Sequence, residues 1–264
     1  MFIVYGSKRI ERTKGEVADY CPICRNVRAF RLLRIGLASH LYYISFGSGK
    51  LVDHQIECRK CGVRLSVDPT TYEAVEKIGS LDLSTLEHVT NLNLRDRHAK
   101  RLVLDAQLRR SSTLLTPETR REWMLEPFRL LNPRIEQRFV NSTQLDRPAG
   151  VGCIGTILVT IATFWIAFTF SQPMQDNLAL VAVAMLVIGT LYTFVQLHFA
   201  PGRFVQRKIA PVLIAALRPL QPTQEELQEI LLRCKTVDMR IAKQFKADRL
   251  WLELQRTPDE ALTD

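Results

Sequence analysis

Four of the six cysteines stand in two C-x-x-C pairs, Cys21-Pro22-Ile23-Cys24 and Cys58-Arg59-Lys60-Cys61, separated by thirty-three residues. A C-x-x-C turn can present two thiolates to one ion, and two such turns supply the four corners of a tetrahedral Zn²⁺ site. A site closed by Cys21, Cys24, Cys58 and Cys61 keeps no open position for a substrate, so its expected role is structural. Its binding free energy would be part of the folding free energy of the region. Iron in a rubredoxin-like site would use the same four ligands. Four thiolates around a divalent ion leave a net charge of about −2, which Arg25, Arg59 and Lys60, within or beside the turns, would offset. Gly62 suits the tight turn after the second pair; Arg25 follows the first, so the two turns are not expected to be equivalent. His40 and His54 read as ordinary strand or surface residues, because four thiolates already complete the site. Cys153 and Cys234 read as small apolar residues. CPIC alone would also suit a thioredoxin-type redox pair, but no βαβ context surrounds it.

The elements that must hold these turns read as β-structure. The stretch from Val27 to Glu57 is rich in Leu, Ile, Tyr, Phe and Val, with Gly47-Ser48-Gly49 as a turn. Strands are expected near 27–34, 40–46, 50–57 and 63–67. Metal turns at one end of a small antiparallel sheet make a zinc ribbon. Residues 1–67 resemble a zinc-ribbon family of largely uncharacterised proteins that opens with a short apolar strand and a Gly-Ser/Thr-Lys step. Here Phe2-Ile3-Val4 and Gly6-Ser7-Lys8 precede CPIC and CRKCG, with Arg25 standing where the family commonly has glycine. The resemblance covers about a quarter of the chain. It implies zinc at Cys21, Cys24, Cys58 and Cys61 and no catalytic activity.

Beyond the ribbon the pattern turns helical. Asp68-Pro69 predicts a helix start, with Gly79 closing that short helix. Ser84 and Glu87 make a capping-box pattern ahead of LEHVTNLNLRDRHAKRLVLDAQLRR. Thr116-Pro117 predicts another helix that breaks near Asn132-Pro133, with a last piece to about Phe139 and a linker over 141–150. Near the C-terminus, Pro211 and Pro219 are expected to interrupt RKIAPVLIAALRPL. Thr223 and Glu226 form a second capping box, and a final helix over about 237–254 places Val237, Ile241, Phe245 and Leu252 on one face. Residues 257–264 read as a polar tail.

Between these regions lie two uncharged apolar runs. Twenty residues from Val151 to Phe170 carry no charge, and Leu178 to Ala200 none apart from His198. At about 1.5 Å per residue the first spans roughly 30 Å, the thickness of a bilayer's hydrocarbon core. The expected architecture is a multi-domain membrane protein: zinc ribbon 1–67, cytoplasmic helical region and linker 68–150, transmembrane hairpin 151–200 with spans 151–171 and 178–200, and cytoplasmic C-terminal helices 201–264. Arg134, Arg138 and Arg147 precede the first run, and Arg203, Arg207, Lys208 and Arg218 follow the second. The connector Ser171–Asn177 has neither Lys nor Arg. The positive-inside rule then places both termini in the cytoplasm, in keeping with a start too short for a secretory signal. Gly152, Thr156, Thr160 and Thr163, and Ala182, Gly189 and Thr193, mark small-residue faces expected to meet each other or a second copy.

The chain's formal charge is +9, and residues 1–78 alone hold 13 Lys and Arg against 8 Asp and Glu. Beside a membrane this reads first as retention on the cytoplasmic face. The basic stretches 95–101 and 109–121 have interleaved acids, Asp96, Asp105 and Glu118, and no aromatic platform, which disfavours single-stranded nucleic acid. No Ser/His/Asp set, phosphate-cradling glycine loop or H-E-x-x-H pattern is present, so an enzyme is not expected. The expected function is a membrane-anchored, non-catalytic protein-interaction module with a structural zinc ribbon. Its partners would be the lipid bilayer and a cytoplasmic or membrane protein, with a homo-oligomer as a further option. The alternatives are a membrane-tethered nucleic-acid-binding ribbon and a thiol or metal sensor.

Overall fold

The computed structural model describes residues 5–41, 44–45, 47, 49–79, 81–110, 116–140, 147–168 and 172–256. Chain contacts divide it into two compact units, 1–132 together with 212–264, and 133–211.

The first unit is built on an antiparallel sheet. Strands β1 (Tyr5–Cys21), β2 (Asn26–Leu41), β3 (Ile44–Ser45), β4 (Lys50–Cys58) and β5 (Arg64–Ser66) are arranged in the order β1-β2-β4-β5, with β3 also on β2. β1 and β2 form a long hairpin closed at the Cys21–Asn26 pair, and Phe30 of β2 lies opposite Cys58 of β4. Both cysteine pairs therefore fall at one end of the sheet. The seventeen-residue β1 is longer than anything expected from its composition. Its first half alternates polar residues on both faces and lacks the apolar signal that marks a buried strand. The opening strand Phe2-Ile3-Val4 lies outside the described residues. Of the strand expected over 40–46, residues 40–41 belong to β2 and Ile44–Ser45 pair back on it; Tyr42, Tyr43 and Phe46 lie outside the described residues.

Apolar residues are buried on both faces of the sheet near the cysteine end. Ala18, Tyr20 and Val27 pack with Leu86 and Leu94. Val17, Phe30, Ile35 and Ile56 are buried as well, each burial stabilising by about 1.5–3 kcal/mol for the larger side chains.

The short helix expected after Asp68-Pro69 is only a 3-10 turn, Pro69–Thr71, which Asp68 caps. The chain then runs extended, and Glu76 exchanges both main-chain hydrogen bonds with Glu16 of β1, at 2.7 and 3.0 Å. Gly15 makes this approach feasible: a Cβ there would lie 2.3 Å from the Glu76 carbonyl oxygen. Pairing with β1 wins over the helix start signal.

Helix α1 (Leu83–Thr90) is capped by Asp82, whose carboxylate accepts from the Ser84 and Thr85 amides, rather than by Ser84. The single long helix expected from here is divided into α1, α2 (Leu94–Arg97) and α3 (Ala99–Arg110). The break is where Thr90 and Asn91 turn their side chains onto β1: Thr90 Oγ1 accepts from the Ala18 amide at 2.9 Å, and Asn91 Nδ2 donates to the Ala18 carbonyl at 3.1 Å. Helix α4 (Pro117–Val140) starts where expected but runs unbroken through Pro133. Linker residues 141–146 lie outside the described residues.

At the C-terminal end, Pro211 sits near the start of α7 (Ala210–Leu217), and Pro219 lies in a closing 3-10 turn. The helical run continues through Pro211, where an interruption was expected; the irregularity is a π-helical turn at Val205–Ile209 just before it. The Thr223–Glu226 capping box is present at the head of α8 (Gln224–Thr236). The expected final helix is two pieces, α9 (Arg240–Gln244) and α10 (Ala247–Gln255), separated by extended backbone at Phe245 and Lys246. Ile241 and Phe245 are buried, whereas Val237 and Leu252 are exposed, so they do not share one buried face. The tail 257–264 lies outside the described residues. Helices on both sides of the apolar hairpin join in this one unit: Arg120 clasps Glu226 at 2.9 and 3.1 Å, and Asn132 Oδ1 accepts from the Ile241 amide.

The second unit contains α5 (Arg147–Phe168) and α6 (Gln172–Phe204), packed side by side. α6 begins at Gln172, so most of the expected connector is helical; Ser171 lies outside the described residues. The small-residue faces meet each other. A Cβ on Gly189 would lie 2.2 Å from Thr156, and one on Gly152 2.7 Å from the Tyr192 ring. Thr156, Thr160, Thr163, Thr190 and Thr193 each donate to the carbonyl four residues earlier in their own helix. Among the described residues one helical run, Val183–Leu220, is long and apolar enough to cross a membrane, and only 6% of its most apolar window is buried. A buried helix of a water-soluble core would show the reverse. The apolar stretch Gly150–Thr163 of α5 is shorter.

Candidate metal centre

Cys21 ends β1 and Cys58 ends β4, while Cys24 and Cys61 sit in the turns that follow. The four sulfurs all lie within 4.8 Å of one another, with Cys21 to Cys61 at 3.5 Å and Cys24 to Cys58 at 4.0 Å. A tetrahedron with Zn–S bonds of about 2.3 Å has sulfurs about 3.8 Å apart, so the observed spacing brackets that of a filled site. A disulfide needs about 2.05 Å, and none of the four is in one. Cys21 and Cys58 are buried and Cys24 and Cys61 half-buried. This donor set fits one ion.

The turns are shaped by main-chain bonds. The Cys24 amide donates to Cys21 Sγ at 3.3 Å, and the Gly62 amide to the Cys58 carbonyl at 2.8 Å. Amides aimed at sulfur stabilise thiolate, the form that binds metal. Gly62 has φ +69°, as its position after the pair predicts, but Arg25 has φ +51°. Both turns are thus followed by a residue with positive φ, although one is glycine and the other arginine. A non-glycine residue in this region is unfavourable by itself, and Arg25 has a compensating tie.

That tie was not legible in the sequence. The Arg25 guanidinium reaches Asp105 of α3 at 3.3 Å, with side-chain exposures of 7% and 0%. The Tyr20 hydroxyl, one residue before the first cysteine, donates to the other oxygen of Asp105. Burial, reinforced by this carboxylate, pushes the Tyr20 phenol above its ordinary range. Arg25 also lies 4.8 Å from the ring centre of Trp123 on α4, and Arg101 of α3 lies 4.4 Å from it. Arg101 in turn pairs with Glu126. The one available signal was Asp105 itself, a carboxylate three residues before buried Leu108 on α3. An acid on an apolar stripe needs a buried partner.

Two of the three cations beside the sulfurs, Arg25 and Arg59, are thus committed elsewhere. Arg59 pairs with buried Glu16 at 3.0 Å, as Arg25 does with Asp105. The basic stretches are likewise engaged: Arg95 with Glu87, Arg101 with Glu126, Arg120 with Glu226 and Arg121 with Glu229. Trp123 does stand among arginines, contrary to the expectation of no aromatic there, but it is buried and offers no face to a base. His54 lies half-buried on β4, outside the cysteine cluster; the side chain of His40 is outside the described residues. Cys153 belongs to α5, and buried Cys234 to α8, where burial pushes its thiol up to about 11.

The chain matches no known protein family, no curated protein and no solved structure. The zinc-ribbon resemblance therefore rests on the cysteine cluster and the sheet that carries it.

Proposed function

We propose that this protein is a membrane-anchored, non-catalytic interaction module whose ribbon is held by structural zinc at Cys21, Cys24, Cys58 and Cys61. The observation that carries the reading is a cluster of four sulfurs at tetrahedral spacing with no fifth donor among the described residues. Such a site binds an ion tightly but leaves it no position for substrate. The anchor is α5 with α6, taken as spans within 151–171 and 178–200. Support comes from their apolar outer faces, where Val151, Ile154, Leu158, Leu180, Val187 and Phe194 are exposed. Patches of that extent mark contact with lipid or protein. Flanking arginines and a connector with neither Lys nor Arg favour both termini in the cytoplasm. The ribbon (1–67) and the helical regions (68–150 and 201–264) then stand at that face, available to a protein partner.

Affinity capture of the intact protein from native membranes, with metal analysis of the same sample, tests the reading. About one zinc per chain, retention in the membrane after alkaline carbonate washing and a recurrent co-purifying protein are expected. A metal-free chain, release by carbonate, or a protein that always runs alone would each overturn the corresponding part.

A further inference from the structure

The outer edge of β1 is treated differently along its length. From Glu16 onward its outward main-chain groups are satisfied within the chain, Glu16 by Glu76, and Ala18 by the side chains of Thr90 and Asn91. On the other side of the irregularity between Thr13 and Gly15, β1 pairs only with β2 among the described residues. Ser7, Arg9, Glu11, Arg12, Thr13 and Lys14 are all exposed there. Seven residues of open strand, from Ser7 to Thr13, present about 20 Å of ladder.

This open stretch is strongly cationic. The stretch holds Lys8, Arg9, Arg12 and Lys14 against one acid, Glu11, and Arg9 also lies near Asp53 of β4. Glu11 is already taken by Arg64 of β5 at 2.7 Å. Arg12 donates to the Gly47 carbonyl, a bond that leaves its charge unneutralised. Two copies pairing edge to edge would oppose these like charges, which is destabilising in a sheet. Open main-chain donors and acceptors alternating along a strand match a peptide backbone, not a phosphate chain.

We infer that the Ser7–Thr13 edge of β1 is a docking strand for an extended acidic segment of a partner protein, added to the sheet beside β1. The inference rests on the interaction reading above and names the surface and partner chemistry. Main-chain bonds would give affinity and the cations register.

The test uses the full-length protein in detergent and a ten-residue peptide alternating Glu with Val or Thr. Companion probes are the same peptide N-methylated at alternate amides in either register, a Lys-for-Glu peptide, and a short single-stranded oligonucleotide. Hydrogen exchange of Ser7–Thr13 reads contact at the strand, and zinc is measured on each sample. The acidic peptide should protect these amides. N-methylation in one register, or the R9E/R12E double variant, should weaken binding at least about tenfold. Unchanged protection at Val17 and Phe30 shows that the variant is folded. No protection in the zinc-loaded protein overturns the inference while leaving the anchored zinc module standing. Equal binding by both methylated peptides, or by the Lys peptide, overturns strand addition. Protection of the same amides by the oligonucleotide would transfer the surface to nucleic acid and overturn it too. A zinc-free protein that also shows no protection counts against both readings.

Discussion

Arg25 holds a backbone conformation that glycine adopts more easily, at the place where the second turn has Gly62. Its side chain supplies what glycine could not, a charge delivered to Asp105 in the next layer. Both partners are buried, so removing one strands the other. Asp105→Ala should destabilise the zinc-loaded protein by about 3–5 kcal/mol. A double replacement, R25M/D105L, should lose less than the sum of the single changes. Thermal unfolding followed by fluorescence near Trp123 checks both, and strict additivity would show that the pair is not coupled. The cluster of four cysteines was legible because C-x-x-C is a local pattern. The Arg25–Asp105 pair was not, since its members are eighty residues apart and nothing nearby marks them as a pair.

At the level of elements, local signals prevailed where no long-range pairing opposed them. The Thr223–Glu226 box formed as written, and Thr223→Ala should lower stability by about 1 kcal/mol. Glu226 is also held below the usual carboxylate range, chiefly by Arg120. Its contribution is therefore full above the ordinary glutamate pKa and is lost as pH falls through the depressed value. Glu226→Gln should flatten the acid limb of the stability profile in that window. Where strand pairing competed, local signals lost. The helix start at Asp68-Pro69 yielded to the Glu16–Glu76 exchange. Gly15→Val should reverse that outcome: its Cβ would strike main chain that cannot swing aside, costing about 1–3 kcal/mol. Faster amide exchange at Glu76 is the measurement, and unchanged exchange would show that the close approach is not needed.

Across the whole molecule, the cysteine spacing marked the end of a β-sheet and the two apolar runs marked the helices α5 and α6. The union of residues 1–132 with 212–264 was not visible in either signal. It depends on contacts such as Arg120 with Glu226, which bridge more than a hundred residues. Removing the metal should act through this body. A strong chelator should deprotect β1 near Cys21, then α3 and the Trp123 turn of α4 through the Tyr20–Arg25–Asp105 ties. The helicity of α5 and α6 should persist. Hydrogen exchange before and after chelation measures this, and loss of metal without change in α3 would separate the site from the helices.

The threonines of α5 and α6 carry a consequence for permeability. Each donates its hydroxyl proton to the carbonyl one turn back, so that proton is not offered to a neighbouring helix or to a file of water. The faces where the helices meet are narrowed further by the contact of Gly189 with Thr156. In the membrane setting proposed above, an ion at this hairpin would shed its hydration shell with little to replace it. The hairpin should therefore behave as an electrical insulator, and the purified protein in a planar bilayer should leave its conductance at the lipid baseline.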